Sequence, residues 1–352
     1  MDNYFLQRNQ ETVRKLNVVL AELPDFCRTL FIGIQNTTGP LPRLNYAYDL
    51  RLYFQYLADT LNKPMKCITL DDLKTQNVHD IEAYINHITL YENNNKVVEN
   101  CETGRARKIA SIRMMYKYFY KSGDLEANAA SLVDMPKIHE KAIIRLDVDE
   151  IVKLLDEVES GDGLSPKQKQ FHALTKNRDL AMLTLFLGTG IRISECVGLN
   201  VEDIDFRNLS IRITRKGGNQ AVLYMSDEVA EAMSLYDTER PQWKGADDSP
   251  AFFLSLKGGR ITTRAVQNLV QKYAKIITPL KHITPHKLRS TFGTTLYQET
   301  GDIYLVADVL GHKDVNTTRR HYAAQADDSR RLAANTIKLR DKEETIDNDE
   351  KG

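Results

Sequence analysis

The chain has 352 residues, of which 42% are apolar and 27% charged, and this composition excludes a collagen-like, disulfide-rich or mostly disordered protein. At about 100–200 residues per domain, the length predicts two domains. Lysine and arginine together number 48, as do aspartate and glutamate, so the formal charge is zero. A formal charge of zero is unusual for a protein that binds nucleic acid, but the net charge does not say where the individual charges lie.

The first part of the chain, residues 1–134, is predicted to be an all-α domain. Apolar and aromatic residues recur at helical spacing in its main segments. The predicted helices are Glu11–Leu23, Tyr46–Leu61, Asp71–Leu90 and Gly104–Tyr120. Residues 36–42 contain two prolines and a glycine, which predicts a loop. We expect a linker at residues 135–145.

The second part, residues 146–340, is predicted to be mainly α with a small antiparallel β-sheet, an α+β domain. Asp147 and Glu150 form a capping-box pattern before an amphipathic run. Two β-prone runs flank the Gly-rich turn at 216–219, which predicts a hairpin. Further helices are predicted at Arg178–Leu187, Thr263–Ile277, Thr284–Glu299 and Ile303–Leu310.

The last 12 residues, 341–352, form an acidic tail that is predicted to be disordered. The tail holds six acidic and two basic residues, so the rest of the chain carries an excess of four positive charges. Part of the apparent neutrality therefore comes from a segment that is not expected to belong to a folded surface.

The cysteine pattern and the apolar segments predict a cytoplasmic location without a membrane partner. No cysteine–histidine spacing is typical of a zinc site, so free thiols in a reducing compartment are expected. The N-terminus lacks the features of a secretory signal. The apolar stretch at 180–191 is shorter than the roughly 18–20 residues that span a bilayer. The cysteines are Cys27, Cys67, Cys101 and Cys196.

A helix predicted to begin at Gly104 carries a row of basic side chains apart from its apolar face. Basic groups at this spacing can follow a DNA phosphate backbone. The alternative is a solvated basic face on a core helix. The candidate DNA-binding residues are Arg105, Arg107, Lys108, Arg113, Lys117 and Lys121.

Two pairs of residues in the second part suit an anionic ligand. Arg192 and Glu195 lie three residues apart after an apolar run, where a charged arginine needs an acidic partner or an anion. His286 and Arg289 lie at i and i+3 on a predicted helix, and a guanidinium with an imidazole can hold a phosphate. Taken singly, the first pair is also typical of a surface ion pair, and the second can be incidental.

A histidine and a tyrosine complete the pattern. His312 follows Gly311, a glycine that is predicted to end a helix, and Tyr322 comes ten residues later. Alone, these residues also suit an ordinary cap and a packing tyrosine. In combination and in order, the motifs resemble those of the tyrosine recombinase (phage integrase) family. The matching segments are 189–199, 284–292 and 310–318, followed by Tyr322.

Two details depart from the family pattern. The usual spacing between the histidine and the tyrosine of the last motif is nine residues, whereas here it is ten. Lys216, in the sequence Lys-Gly-Gly-Asn, resembles the family's hairpin lysine, and the adjacent Arg215 is a competing candidate. The helical first part is similar to the family's core-binding domain.

The resemblance implies a site-specific DNA recombinase of simple two-domain, Xer/Cre-like architecture. Such an enzyme cuts and rejoins duplex DNA through a covalent 3′-phosphotyrosine and a Holliday junction. Arginines would stabilise the charged phosphate, and a tyrosine would attack it, with no metal or other cofactor. The implied catalytic set is Arg192, Lys216, His286, Arg289, His312 and Tyr322, with Glu195 supporting Arg192.

The resemblance also implies an assembly of four protomers on two DNA sites. The predicted helix at 323–339 would dock onto a neighbouring protomer, or else fold back on its own domain. An accessory protein is an open possibility, as is the choice between integration, excision, inversion and dimer resolution. The alternative functions are a type IB topoisomerase-like nicking–closing enzyme and a catalytically silent DNA-binding protein of the same fold.

Overall fold

The computed structural model describes residues 4–93, 96–139, 144–215, 218–312 and 314–315. The chain divides into two compact units, residues 1–141 and residues 142–352. No helix among the described residues combines the length and the apolar character that crossing a membrane requires.

The first unit is built mainly from helices around an aromatic-rich core. Its helices are α1 (Tyr4–Glu22), α2 (Phe26–Gly33), α3 (Pro40–Leu61), α4 (Leu70–Lys74), α5 (Val78–His87), α6 (Glu102–Ser122) and α7 (Ala129–Leu132). The strands β1 (Leu90–Asn93) and β2 (Lys96–Glu99) pair antiparallel between α5 and α6. Helix α3 packs against α1 and α6, and it buries Tyr53 and Phe54 beside Tyr116 and Phe119 of α6.

The helix predicted at Asp71–Leu90 is wrong as a single element, because a polar cap interrupts it. The Asn77 side chain accepts from the backbone N–H groups of His79 and Asp80, and the Asp80 carboxylate accepts from the Asn77 N–H at 2.9 Å. This reciprocal capping satisfies backbone donors at the start of a new helix, so α4 ends and α5 begins here.

The first unit also contains a hairpin, so the all-α prediction for it is wrong in this respect. Strands β1 and β2 pair in register from Leu90 with Glu99. Asn100 closes the open end of the hairpin, since its N–H donates to Thr89 O at 3.0 Å and its Nδ2 to Ile88 O at 2.6 Å. These contacts join residues eleven or twelve apart, and helical periodicity does not reveal them.

The second unit has the predicted mainly α fold with a small antiparallel sheet. Its helices are α8 (Val148–Ser160), α9 (Pro166–Thr189), α10 (Ile193–Gly198), α11 (Asp227–Glu239), α12 (Thr263–Ile277), α13 (Pro285–Thr300) and α14 (Ile303–Leu310). The sheet has the order β3 (Ile204–Asp205), β4 (Ser210–Thr214) and β5 (Gln220–Tyr224), with both neighbouring pairs antiparallel. The predicted capping box before α8 is present, as the Asp147 N–H donates to Glu150 Oε2 at 2.8 Å.

Helix α9 is the central element of the second unit. Six consecutive residues in its last half, 181–186, are buried, and the helix packs against α8, α11 and α13. A helix enclosed in this way reads as a continuous apolar run rather than a stripe. The packing of α9 therefore holds its C-terminal end in place, and the first predicted motif, residues 189–199, begins at that end.

The four cysteines are free thiols that fall into two classes, which predicts their reactivity. Cys27 and Cys196 are buried, and burial raises the pKa of both thiols well above the ordinary value. Cys67 and Cys101 are exposed. Since the thiolate is the reactive form, Ellman's reagent should modify these two rapidly in the native protein and all four in denaturant. Rapid modification of four thiols in the native protein would contradict the described packing.

Candidate active site

Arg192 lies at the start of α10, where a single carboxylate holds it. Its backbone N–H donates to Oε2 of Glu195 at 2.9 Å, and its Nη1 donates to Oε1 of the same side chain at 2.9 Å. Glu195 is buried, whereas 32% of the Arg192 side chain is exposed. The carboxylate therefore fixes the guanidinium group of a side chain that stays partly exposed.

Arg289 lies on α13 and is buried. Its Nη1 donates to the carbonyl of Gly190, and its Nη2 donates to the carbonyl of Leu310. Gly190 ends α9 with a φ of 62°, and a Cβ at this position would lie 2.4 Å from a ring carbon of Phe292. Only glycine suits this backbone and this close approach, which brings the end of α9 within reach of Arg289.

Three arginines from distant parts of the second unit donate hydrogen bonds to backbone carbonyls at the end of α14. Carbonyls at a helix C-terminus lack intrahelical partners and carry partial negative charge, so cationic donors are favourable there. Glu195 is the acidic partner of Arg192. Arg215, Arg289 and Arg192 donate in turn to the carbonyls of Val309, Leu310 and Gly311.

The two predicted histidines lie close in sequence to residues of this arginine cluster. The backbone N–H of His312 donates to Ala307 O at 2.9 Å, directly after Gly311 has ended α14 with a φ of 62°. The His312 side chain is half-buried. His286 is exposed in the first turn of α13, three residues before Arg289. His312 therefore directly follows a residue that accepts a hydrogen bond from Arg192, and His286 lies on the same helix as Arg289.

Two members of the predicted catalytic set, Lys216 and Tyr322, lie outside the described residues, as does the helix predicted at 323–339. The described neighbours of Lys216 form the base of the predicted hairpin. The described site therefore consists of Arg192, Glu195, His286, Arg289 and His312, together with Arg215.

A comparison with family models identifies the chain. Residues 145–329 match the model of the phage integrase family, which is more than half of the chain. The chain belongs to the phage integrase family. The predicted family is confirmed, and residues 145–329 span the positions of the predicted catalytic set.

Curated relatives give the same result for this integrase. The tyrosine recombinase XerC of Caldanaerobacter subterraneus subsp. tengcongensis is 33% identical over 287 residues, which cover 78% of this chain and 75% of the relative. The tyrosine recombinase XerC of Thermodesulfovibrio yellowstonii is 34% identical over 222 residues, 62% of this chain and 70% of the relative. The predicted activity, a tyrosine-type site-specific DNA recombinase, is thereby confirmed, and neither alternative function is favoured.

A solved structure has the same fold as this integrase. The XerH site-specific recombinase, in a post-cleavage complex with palindromic difH substrate, matches with a TM-score of 0.64 at 19% identity. The match covers 85% of this chain and 80% of the XerH chain. The predicted fold class is confirmed, apart from the hairpin in the first unit.

The six basic residues predicted to bind DNA have different surroundings in the first unit of the integrase. Lys108 is buried and donates to Asn100 Oδ1 at 2.8 Å. Arg113 donates to the carbonyls of Ala130 and Val133, which ties α6 to the segment around α7. These two side chains have structural partners within the unit, so the interpretation of α6 as one continuous basic face is too simple.

The other four basic side chains are at least partly accessible. Arg105 is half-buried and donates to Thr89 Oγ1 at 3.2 Å. Arg107 pairs with the buried Asp49 at 2.7 Å, although 49% of its side chain is exposed. Lys117 and Lys121 are exposed.

Arg215 is the residue whose placement the sequence pattern did not reveal in this integrase. Its position next to Lys216 was the only signal, and it made Arg215 a competitor for the lysine role. The structure instead directs its guanidinium group to the Val309 carbonyl, 94 residues away along the chain. Such a contact depends on tertiary structure and leaves no periodic trace in the sequence.

Proposed function

We propose that this recombinase uses the arginine cluster at the end of α14 to hold the scissile phosphate of its DNA site, and Tyr322 to attack that phosphate. The observation that carries the proposal is the convergence of Arg192 and Arg289 on two successive carbonyls, Gly311 and Leu310, in a member of the phage integrase family. Fixed guanidinium groups in one place suit a dianionic, five-coordinate phosphorus better than they suit a neutral ligand.

The chemistry follows from the residue types. Tyr322 attacks phosphorus, the new Tyr–O–P bond forms, and the bond from phosphorus to the 5′ oxygen breaks. An unperturbed tyrosine has a pKa of about 10, so a phenol that attacks near neutral pH needs a proton acceptor, and His286 is the candidate. The 5′ oxygen takes a proton from Lys216. Arg192, Arg289 and His312 donate hydrogen bonds to the non-bridging oxygens.

The covalent 3′-phosphotyrosine conserves the energy of the phosphodiester, so a 5′ hydroxyl from a second strand can reverse the reaction without ATP. Two such exchanges pass through a Holliday junction and recombine two sites. Glu195 supports the reaction indirectly, because it holds the Arg192 guanidinium group in place. The biological outcome is either the integration or excision of a mobile element or the resolution of joined DNA molecules.

The two parts of the chain have different tasks in this proposal. Residues 146–340 form the catalytic domain, and residues 1–134 form a DNA-binding domain joined to it by the linker at 135–145. Contacts with the phosphate backbone come from the accessible basic side chains of α6, among them the exposed Lys117 and Lys121. Arg105 and Arg107 add to this positive surface.

The proposed active assembly is a homotetramer on two duplex DNA sites, with the segment after Tyr322 supplying the contact between protomers. An accessory protein is compatible with this assembly. The four free thiols favour a reducing compartment, and we propose the cytoplasm.

Covalent capture of DNA tests the proposed function. The full-length protein first selects its site from fragmented DNA of the source genome. A nick is then placed close to the scissile phosphate, so that the short cleaved strand dissociates and cannot be rejoined. The wild-type protein should form a denaturant-resistant adduct with this DNA, and peptide mapping should place the adduct on Tyr322.

Tyr322→Phe is the matched control, since it removes one oxygen and leaves the ring. This variant should bind the DNA and form no adduct. The proposal fails if the wild-type protein forms no adduct with a site that it binds, or if Tyr322→Phe still forms one.

A further inference from the structure

Arg215 forms the base of the hairpin turn that contains Lys216. It directly follows β4, and its backbone N–H donates to Asn219 O at 2.7 Å. Its carbonyl accepts from the Gly218 N–H at 3.1 Å. Both ends of the turn therefore depend on the backbone of Arg215, and whatever fixes Arg215 also fixes the point from which Lys216 departs.

The side chain of Arg215 is fixed to the segment that precedes His312. Its Nη2 donates to Val309 O at 3.2 Å. Its guanidinium group also lies directly against Gly311, where an added Cβ would be 2.0 Å from Nη1 and 2.3 Å from Cζ. Glycine at this position thus serves two purposes: it adopts the positive φ that ends α14, and it leaves room for the guanidinium group.

This contact has a cost that stability alone does not explain. The Nε of Arg215 is buried without a hydrogen-bond partner among the described residues. A buried donor without an acceptor is unfavourable, and proteins keep such groups mainly where function requires the geometry. A role in placing the neighbouring residues would account for an arginine at this position.

We propose that Arg215 is a positioning residue for the general acid. It holds the turn that carries Lys216 against the Val309–Gly311 backbone, the same stretch that accepts hydrogen bonds from Arg192 and Arg289. The backbone from which Lys216 departs is thereby tied to the segment that both arginines also contact. The inference rests on the proposed function and adds a residue that does not itself touch DNA.

The proposal predicts a defect confined to one step, the transfer of a proton from Lys216 to the 5′ oxygen as the bond from phosphorus to that oxygen breaks. Arg215→Gln keeps a side chain of moderate length but cannot reproduce the charged contact with the helix end. With a turn that is no longer held, cleavage of ordinary DNA should fall about 100-fold, the typical effect of misplacing a catalytic group by about 1 Å.

A modified substrate isolates this step. In DNA with a 5′-bridging phosphorothiolate, the leaving group is a thiolate, which needs no proton because thiols ionise near a pKa of about 8.5. On this DNA, Arg215→Gln should cleave within about threefold of the wild-type rate. Lys216→Ala should be restored in the same way, whereas Arg192→Ala should stay defective because it acts on the non-bridging oxygens.

Arg212→Gln is the matched control, because Arg212 lies on β4, three residues before Arg215, and pairs with Asp203 at 3.1 Å rather than with the end of α14. It should cleave both substrates at close to the wild-type rate. The inference is overturned if Arg215→Gln cleaves ordinary DNA normally, or if its defect persists on the phosphorothiolate. A wild-type protein that cleaves neither substrate would instead contradict the proposed function.

The contact with Gly311 provides a second, independent measurement. Gly311→Ala combines an unfavourable φ with a clash against Arg215, whereas in an Arg215→Ala background only the φ penalty is left. The loss of cleavage caused by Gly311→Ala should therefore be smaller in that background than in the wild-type protein. Equal losses in the two backgrounds would show that the two residues are not coupled, and would count against the proposed contact.

Discussion

Replacing Arg192 with alanine is expected to lower the rate of DNA cleavage about 1000-fold, in the range seen when one fixed donor to a transition state is removed. Arg192 is held by Glu195 and by the Gly311 carbonyl, yet 32% of its side chain is exposed. Its guanidinium group is therefore ordered before the substrate arrives and meets the phosphate without reorganising. DNA affinity should change much less, because many other phosphate contacts maintain it.

Two assays on the same nicked DNA separate these effects. Covalent adduct formation under single-turnover conditions, with protein in excess, measures the cleavage step, and a mobility shift measures binding. Arg212→Ala is the control, since Arg212 is also half-exposed and ion-paired, with Asp203. If Arg192→Ala loses binding to the same extent as cleavage, Arg192 holds the ground state and not the transition state.

Replacing Asp179 with alanine is expected to lower the free energy of unfolding of the second unit by about 3–5 kcal/mol, the cost of breaking a buried ion pair. Asp179 has 1% of its surface exposed. It accepts from Arg178 Nη2 at 2.6 Å, from Lys272 Nζ at 3.2 Å and from Tyr273 Oη at 3.1 Å. Without the carboxylate, the buried Arg178 and the partly buried Lys272 lose the acidic partner that they share.

The pKa shifts of the neighbours of Asp179 agree with this interpretation. Burial lowers the pKa of Lys272, and burial followed by the negative charge of Asp179 raises the pKa of Tyr273. The interior at this point therefore disfavours charge of either sign, and Asp179 makes the positive charge tolerable. Helices α9 and α12, which supply these residues, should separate most readily in the variant.

The chain contains an internal probe for this measurement. Trp243 is the only tryptophan, and its ring lies 5.0 Å from the Arg178 guanidinium carbon. Urea unfolding followed by tryptophan fluorescence therefore reports on the second unit, whatever the first unit does. Asp247→Ala, at an exposed position, should stay within about 0.5 kcal/mol of wild type. A loss below about 1 kcal/mol for Asp179→Ala would contradict the described network.

The helices with strong local signals are the ones that could be predicted from the sequence. Helices α12 and α14 begin and end at the predicted residues, Thr263–Ile277 and Ile303–Leu310. Each has a local cap, with Thr262 accepting from Ala265 N and Asp302 accepting from Tyr304 N. Amphipathic spacing and a polar cap are both short-range properties, so a sequence displays them directly.

The family, and with it the activity, also follows from local sequence, because each motif keeps its residues within a few positions of one another. What only the tertiary structure decided is how these motifs meet. Three arginines reach three successive carbonyls at the end of α14 from positions 94, 21 and 119 residues away along the chain. The tertiary structure also decides the role of Arg113. Its basic character predicts a DNA contact, whereas its hydrogen bonds to the carbonyls of Ala130 and Val133 give it a structural role. Residue type and spacing determine which groups can bind a phosphate. A long-range hydrogen bond to a backbone carbonyl does not depend on the side chain of the accepting residue, because every residue has such a carbonyl. The sequence therefore contains no signal for such a hydrogen bond, and only the folded chain shows which carbonyl each guanidinium group binds.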